Sequence, residues 1–218
     1  MEEIYIYHHL GLGDHIICNS IVRNFCDSYD TVYLFVKPHN YKNVEFMYRD
    51  LTNITLIKGY DNFCENYIKR KNYIKIGFDE LDRSISFDKS FYKQSNLHFE
   101  MKWSDFHIER DYEKENKLYR ELINIEYIFV HDDIDRGFKV REDLLPKDIK
   151  IIRPSMEYDF FDYCKIIENA KEIHLMESSY KCLVEHLNIK SKRLFYHTYI
   201  RNYPKNIRVS SKYNWIEY

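Results

Sequence analysis

The sequence predicts an α/β protein made of two Rossmann-like halves, each a parallel sheet covered by helices on both faces. Three observations lead there. Short runs of aromatic and β-branched residues alternate with stretches of helical periodicity, and that alternation implies parallel strands joined by helical crossovers. The alternation stops across residues 79–111 and then resumes, which sets a boundary near residue 110. The length of 218 residues suits one large or two small domains. The expected division is therefore 1–110 and 111–218.

The elements follow in order. Glu3-Ile4-Tyr5-Ile6-Tyr7 has the composition of a buried strand. Two of the 5 glycines come next, in Gly11-Leu12-Gly13. Ile16, Ile17, Ser20, Ile21, Asn24 and Phe25 then recur at helical spacing, so a helix is expected to start near Asp14 with that carboxylate as its cap. Strands are expected at 31–36, 54–58 and 73–76, with helices at 43–50 and 62–70 between them. Residues 79–111 are polar and aromatic without a sustained period. In the second half a charged amphipathic helix at 113–123 leads to strands at 127–130, 149–152, 172–176 and 193–196. Helices at 158–169 and 178–187 separate the later ones. The last stretch, 206–218, has little pattern and is expected to pack as a tail across the other half.

Composition excludes several classes. The hydrophobic fraction is 44% and the charged fraction 31%, which suits a soluble protein with a core. Lys+Arg 33 against Asp+Glu 35 leaves a net charge of −2, the wrong balance for a nucleic-acid binder. No apolar run reaches the roughly 18 residues that span a bilayer, although peripheral membrane contact stays open. The first residues lack a signal-peptide layout. The five cysteines (Cys18, Cys26, Cys64, Cys164, Cys182) form no CxxC pair, so reduced thiols in a cytoplasmic protein are expected. The 21 tyrosines and 14 phenylalanines are spread evenly, as an A- and T-rich genome would leave them, which argues against a dedicated stacking surface.

Three clusters carry possible chemistry. The first, His8-His9-Leu10-Gly11-Leu12-Gly13-Asp14-His15, falls at a strand-to-helix turn, the edge where open α/β sheets bind ligands. It is not a dinucleotide fingerprint, because the third glycine would fall at Ile16 and Lys37-Pro38 replaces the expected acidic residue. No P-loop pattern occurs. His8 and His9 alternate in direction along a strand, which disfavours a shared metal ion, and no tightly spaced further ligands follow. Asp14 is either a helix cap or a general base at the mouth of a cleft. The second cluster runs from His131-Asp132-Asp133 to Arg136-Gly137 and Lys139. Its cations suit a pyrophosphate, or they simply neutralise the neighbouring carboxylates. The third, Glu177-Ser178-Ser179 with Lys181, is either an ordinary serine cap or a phosphate site with Glu177 on a ribose. His174, inside a strand, reads as a core or wall residue.

The stretch HHLGLGDHIICNSIVR resembles the N-terminal loop of GT-B glycosyltransferases related to the bacterial heptosyltransferases, and residues 172–187 resemble that family's donor-site strand and helix. The resemblance covers about 16 residues of the first half and about 60 of the second. It implies two Rossmann-like domains facing a cleft and inverting sugar transfer from a nucleotide-diphosphate donor, with no cofactor and no required metal. Asp14 would be the catalytic residue. The acceptor, a glycan or glycolipid, would meet His8, His9, Gly11 and Gly13, with Tyr92, Gln94 and Trp103 added by position alone. The donor would meet His131, Arg136, Gly137, Lys139, Glu177, Ser178, Ser179 and Lys181. The chain is far shorter than a typical GT-B enzyme, and Glu-Ser-Ser replaces the family's Gly-rich donor loop. Two further readings stand beside this one: a non-catalytic nucleotide-sugar or glycan-binding module, and a nucleotide-dependent oxidoreductase. Fold class alone does not choose among them.

Overall fold

The computed structural model describes residues 2–78, 81–200, 204 and 208–218. The chain divides into two compact units, one of residues 1–109 with 204–210, the other of 110–203 with 211–218.

The first unit is a four-stranded parallel sheet. Its elements are β1 (Glu3–His8), α1 (Leu12–Ile17), α2 (Asn19–Ser28), β2 (Thr31–Val36), α3 (Tyr41–Met47), β3 (Ile54–Lys58), α4 (Asp61–Ile68) and β4 (Tyr73–Ile76). Two short helices follow, α5 (Phe87–Gln94) and α6 (Met101–Ser104). The strand order is β3-β2-β1-β4, so the direction of winding reverses between β1 and β4. Ile4 to His8 are all buried, the continuous pattern of a strand covered on both faces. Tyr5 and Tyr7 pack with Leu10, Phe35, Cys64 and Ile68 of α4. The period of two then puts His8 on the opposite face with Ile4 and Ile6.

The two helices in the stretch without sequence period are explained by a buried ion pair. Asp88 on α5 and Lys102 on α6 occupy interior positions, 2.6 Å apart. Burial pushes the Asp88 carboxyl up, but the Lys102 ammonium and the hydrogen bonds to it outweigh that and hold it below its ordinary value. The pair also clasps Ser210, whose N–H donates to Asp88 (3.0 Å) and whose carbonyl accepts from Lys102 Nζ (2.9 Å). Of the expected tail at 206–218, Ser210 thus belongs to the first unit.

The second unit holds α7 (Tyr112–Leu122), β5 (Tyr127–Val130), β6 (Lys150–Ile152), α8 (Cys164–Asn169), β7 (Glu172–Leu175), α9 (Ser179–Val184), β8 (Leu194–Tyr196) and β9 (Ile216–Glu217). Its five parallel strands run in the order β6-β5-β7-β8-β9, reversing between β5 and β7. The end of the chain is a strand rather than a patternless tail, and Tyr218 N–H donates to Tyr196 O at 3.0 Å. Arg110 ties α7 to α8 by forking between Glu115 (2.7 Å) and Glu168 (2.7 Å). All five cysteines are buried and free.

Candidate functional site

Ligands of open α/β sheets bind beyond the carboxyl ends of the strands where the winding reverses. The strand order therefore marks two edges, the loops after β1 and β4 in the first unit and those after β5 and β7 in the second. Most of the sequence-derived candidates lie there.

In the first unit the turn after β1 is built by its neighbours. Asn40 Nδ2 donates to Leu10 O at 2.9 Å, and His9 Nε2 donates to Gly77 O. His9 stacks on Phe78 with centroids 4.6 Å apart. Gly77 has φ +86°, and a Cβ there would lie 2.5 Å from the rings of His9 and Phe91, so glycine alone fits. Its N–H donates to Gln94 Oε1 at 2.7 Å, which brings Gln94 to this edge. The helix begins two residues before the expected start. Gly11 is its cap position and Gly13 lies inside it, so Asp14 is a half-buried residue of the first turn and not the cap. The Asp14 carboxylate folds back over the turn, and a Cβ on Gly11 would meet its Oδ2 at 2.6 Å. Gly11 is thus the residue that lets this carboxylate sit against the turn.

Three expected cleft residues stand elsewhere. His8 is fully buried, its ring 4.4 Å from that of the equally buried His15. Burial lowers the His8 pKa to about 4 and drives His15 well below its ordinary value, so both are neutral at pH 7. Tyr92 is also a core residue, with its hydroxyl donating to Ile17 O at 3.0 Å. Trp103 sits on α6 with its ring against Phe99, 5.1 Å between centroids. In each case the aromatic ring serves packing rather than the sheet edge.

In the second unit, β5 opens into His131, whose ring packs 4.8 Å from that of Tyr180. Asp132 accepts from Val140 N–H (2.7 Å) and from Arg153 Nε (2.7 Å). Gly137, at φ +75°, closes the following turn. The two cations expected to hold phosphate are already engaged: Arg136 with Asp133 at 2.6 Å and Lys139 with Glu142 at 3.2 Å. Both are more than half exposed, so these pairs are weak and exchangeable. Arg153, at the tip of β6, joins Asp132 to Glu142 (2.9 Å) and lies outside the three sequence clusters. A cation directly after a strand was the available signal.

At the tip of β7, Glu177 accepts from the Tyr196 hydroxyl. Ser178 caps α9, accepting from the Lys181 N–H at 3.4 Å, and Ser179 is the first helical residue. Lys181 differs most from its expected setting. It is buried, with Nζ 5.0 Å from the Tyr196 ring centre and 5.6 Å from that of Trp215. Aromatic rings surround this ammonium, where the sequence reading expects an exposed cation facing phosphate.

The same unit contains a buried polar line that the sequence did not disclose. Glu172 pairs with Arg193 (2.9 Å) and accepts from His174 Nε2 (3.3 Å). A carboxylate can only accept, so Nε2 carries the proton and His174 Nδ1 is free to accept from His197 Nε2 at 3.1 Å. Burial lowers both imidazoles to about 4. Among the described residues there is no group of three or more His, Cys, Asp or Glu side chains arranged to hold a metal ion.

No family profile matches the sequence. No curated protein matches it either. Among solved structures, the chain is similar to the crystal structure of the glycosyl transferase family 9 from Veillonella parvula DSM 2008. The likeness covers 99% of this chain and 87% of that one, with a TM-score of 0.60 and 10% sequence identity. The fold is GT-B-like. At that identity the likeness speaks for architecture, and the two sheets that wind in the GT-B manner, four strands and five, agree with it. Among the described residues, no helix is long and apolar enough to cross a membrane.

Proposed function

We propose that this GT-B-like chain is an inverting glycosyltransferase that moves a sugar from a nucleotide-diphosphate donor to a glycan or glycolipid acceptor. The observation that carries the reading is the fold likeness to a glycosyl transferase over nearly the whole chain, joined to a carboxylate, Asp14, at the turn after β1. Asp14 takes the proton of an acceptor hydroxyl. That oxygen bonds to the anomeric carbon from the face opposite the leaving group, the bond from carbon to the phosphate oxygen breaks, and the nucleoside diphosphate departs. The donor belongs to the second unit, near His131, Arg136, Gly137, Lys139 and the Glu177-Ser178-Ser179 turn. The departing charge falls to the exposed cations Arg136 and Lys139, which exchange weak carboxylate partners for phosphate. His9, Gly11, Gly13 and Gln94 frame the acceptor side. Transfer proceeds without a metal cofactor, and the location is cytoplasmic.

The test is a panel of nucleotide-diphosphate sugars assayed for hydrolysis and transfer, with Asp14→Asn beside the wild type. A second reading, a nucleotide-sugar-binding module without turnover, is favoured by one observation: the buried Lys181 and the paired Arg136 and Lys139 leave less cationic charge for the diphosphate than the sequence promised. Binding without hydrolysis or transfer would select it.

A further inference from the structure

Large hydrophobic side chains that are exposed cluster on one part of the first unit. Phe63 and Tyr67, 46% and 42% exposed, lie four residues apart on one face of α4, and Tyr60, 58% exposed, is the extended residue just before the helix. Tyr73, at the start of the edge strand β4, is 47% exposed. Phe63 and Tyr67 have ring centroids 5.5 Å apart, and Tyr67 lies 5.9 Å from the buried ring of Tyr5, the residue of β1 paired in register with Tyr73. Other exposed hydrophobics among the described residues, such as Ile125 and Met156, are far from it in sequence and lie in the second unit.

A basic run follows the helix directly. Lys69, Arg70 and Lys71 are all exposed, and Lys71 Nζ stands 5.0 Å from the Tyr5 ring centre and 5.9 Å from that of Tyr67. The two carboxylates of α4 are partnered, Asp61 with Lys37 (3.7 Å) and Glu65 with Lys75 (3.1 Å), so they do not cancel the run. Exposed Glu3 acts on the charge of Lys71, one carboxylate against three cations, so the surface is aromatic and cationic at once.

We infer that this face of α4, with Lys69, Arg70 and Lys71, docks the protein on an anionic lipid surface. The chemistry selects that occupant. Three of the four exposed rings are tyrosines, whose apolar body and polar tip suit headgroup depth rather than a dry protein interface. A symmetric contact between two copies sets the same patch against itself, which would bring the two basic runs into repulsion. Anionic headgroups neutralise the run instead, each cation near the surface adding attraction that salt screens. Binding is peripheral, the ring face entering only the boundary between headgroups and acyl chains. The inference does not depend on the proposed sugar transfer.

The experiment is co-sedimentation of the full chain with phosphatidylcholine vesicles, with and without phosphatidylglycerol, over a salt series. The expected result is binding to the anionic vesicles that weakens with salt, and little binding to phosphatidylcholine alone. The triple variant Lys69→Gln/Arg70→Gln/Lys71→Gln changes only exposed side chains and should bind about 100-fold more weakly. Phe63→Ser should also weaken binding, with circular dichroism confirming an unchanged fold. Wild-type protein that stays in the supernatant, or a triple variant that binds as well as the wild type, overturns the inference. So does a dimer in sedimentation analysis that Phe63→Ser dissolves while vesicles are ignored, because the occupant is then a second copy.

Discussion

The buried histidines of the second unit make its stability depend on pH in a defined direction. His174 and His197 both fall from the ordinary 6.5 to about 4 because burial disfavours the charged ring. The folded state then binds fewer protons than the unfolded chain between those two values. Stability is therefore full above about pH 7, falls as pH drops through 6.5, and stops falling from this cause below about 4. At pH 5 each ring costs about 2 kcal/mol relative to pH 7.5, and the pair about 4 kcal/mol. The chain has 2 tryptophans, Trp103 in the first unit and Trp215 in the second. In a Trp103→Phe background, denaturant unfolding followed by Trp215 fluorescence reads the second unit. Wild-type unfolding free energy should drop by that amount between pH 7.5 and 5. His174→Gln/His197→Gln keeps neutral polar groups that do not titrate, and should flatten the dependence. An equally steep dependence in the double variant would show that these two rings are not its source.

Other outcomes follow from single contacts. Gly77→Ala, placing a Cβ at φ +86° against His9 and Phe91, should lower the stability of the first unit by about 2–4 kcal/mol in denaturant melts. Lys102→Met leaves Asp88 buried without its cation and should cost about 3–5 kcal/mol, with Asp88→Asn in the same chain restoring part of the loss. Arg136→Ala should weaken nucleotide-diphosphate binding in calorimetry by about 1.5 kcal/mol or more, while Asp14→Ala leaves that binding nearly unchanged. Transfer should survive excess EDTA, and loss with recovery in Mn²⁺ would point to Asp132 and Asp133 as metal ligands.

The strands were the legible part of the fold. Runs such as Ile4–Tyr7 and Tyr127–Val130 are buried on both faces, and their aromatic and β-branched content shows it without any partner being known. The helices at 87–94 and 101–104 were illegible because their buried positions include Asp88 and Lys102, and a charge at a core position breaks the apolar period. The glycines mark the turn after β1, yet Asp14 looks like a cap and so places the expected helix start two residues late. The structure gives that carboxylate to the first turn and the cap position to Gly11. Lys181 reads as a helix-start cation until Trp215 is placed over it, a residue whose nearness only the fold reveals. The line from Glu172 through His174 to His197 depends likewise on β7 lying beside β8.

Transfer by Asp14 is tested by turnover of a nucleotide-diphosphate sugar by wild type and Asp14→Asn, with the anomeric configuration of the product read by NMR. The wild type should give an inverted glycoside, and the variant a rate lower by about 10²–10⁴-fold, with donor affinity and melting temperature little changed. A variant that keeps more than roughly a tenth of wild-type turnover contradicts the role of Asp14. A product that retains the donor's configuration, or wild-type protein that binds donor and never turns it over, contradicts the mechanism itself.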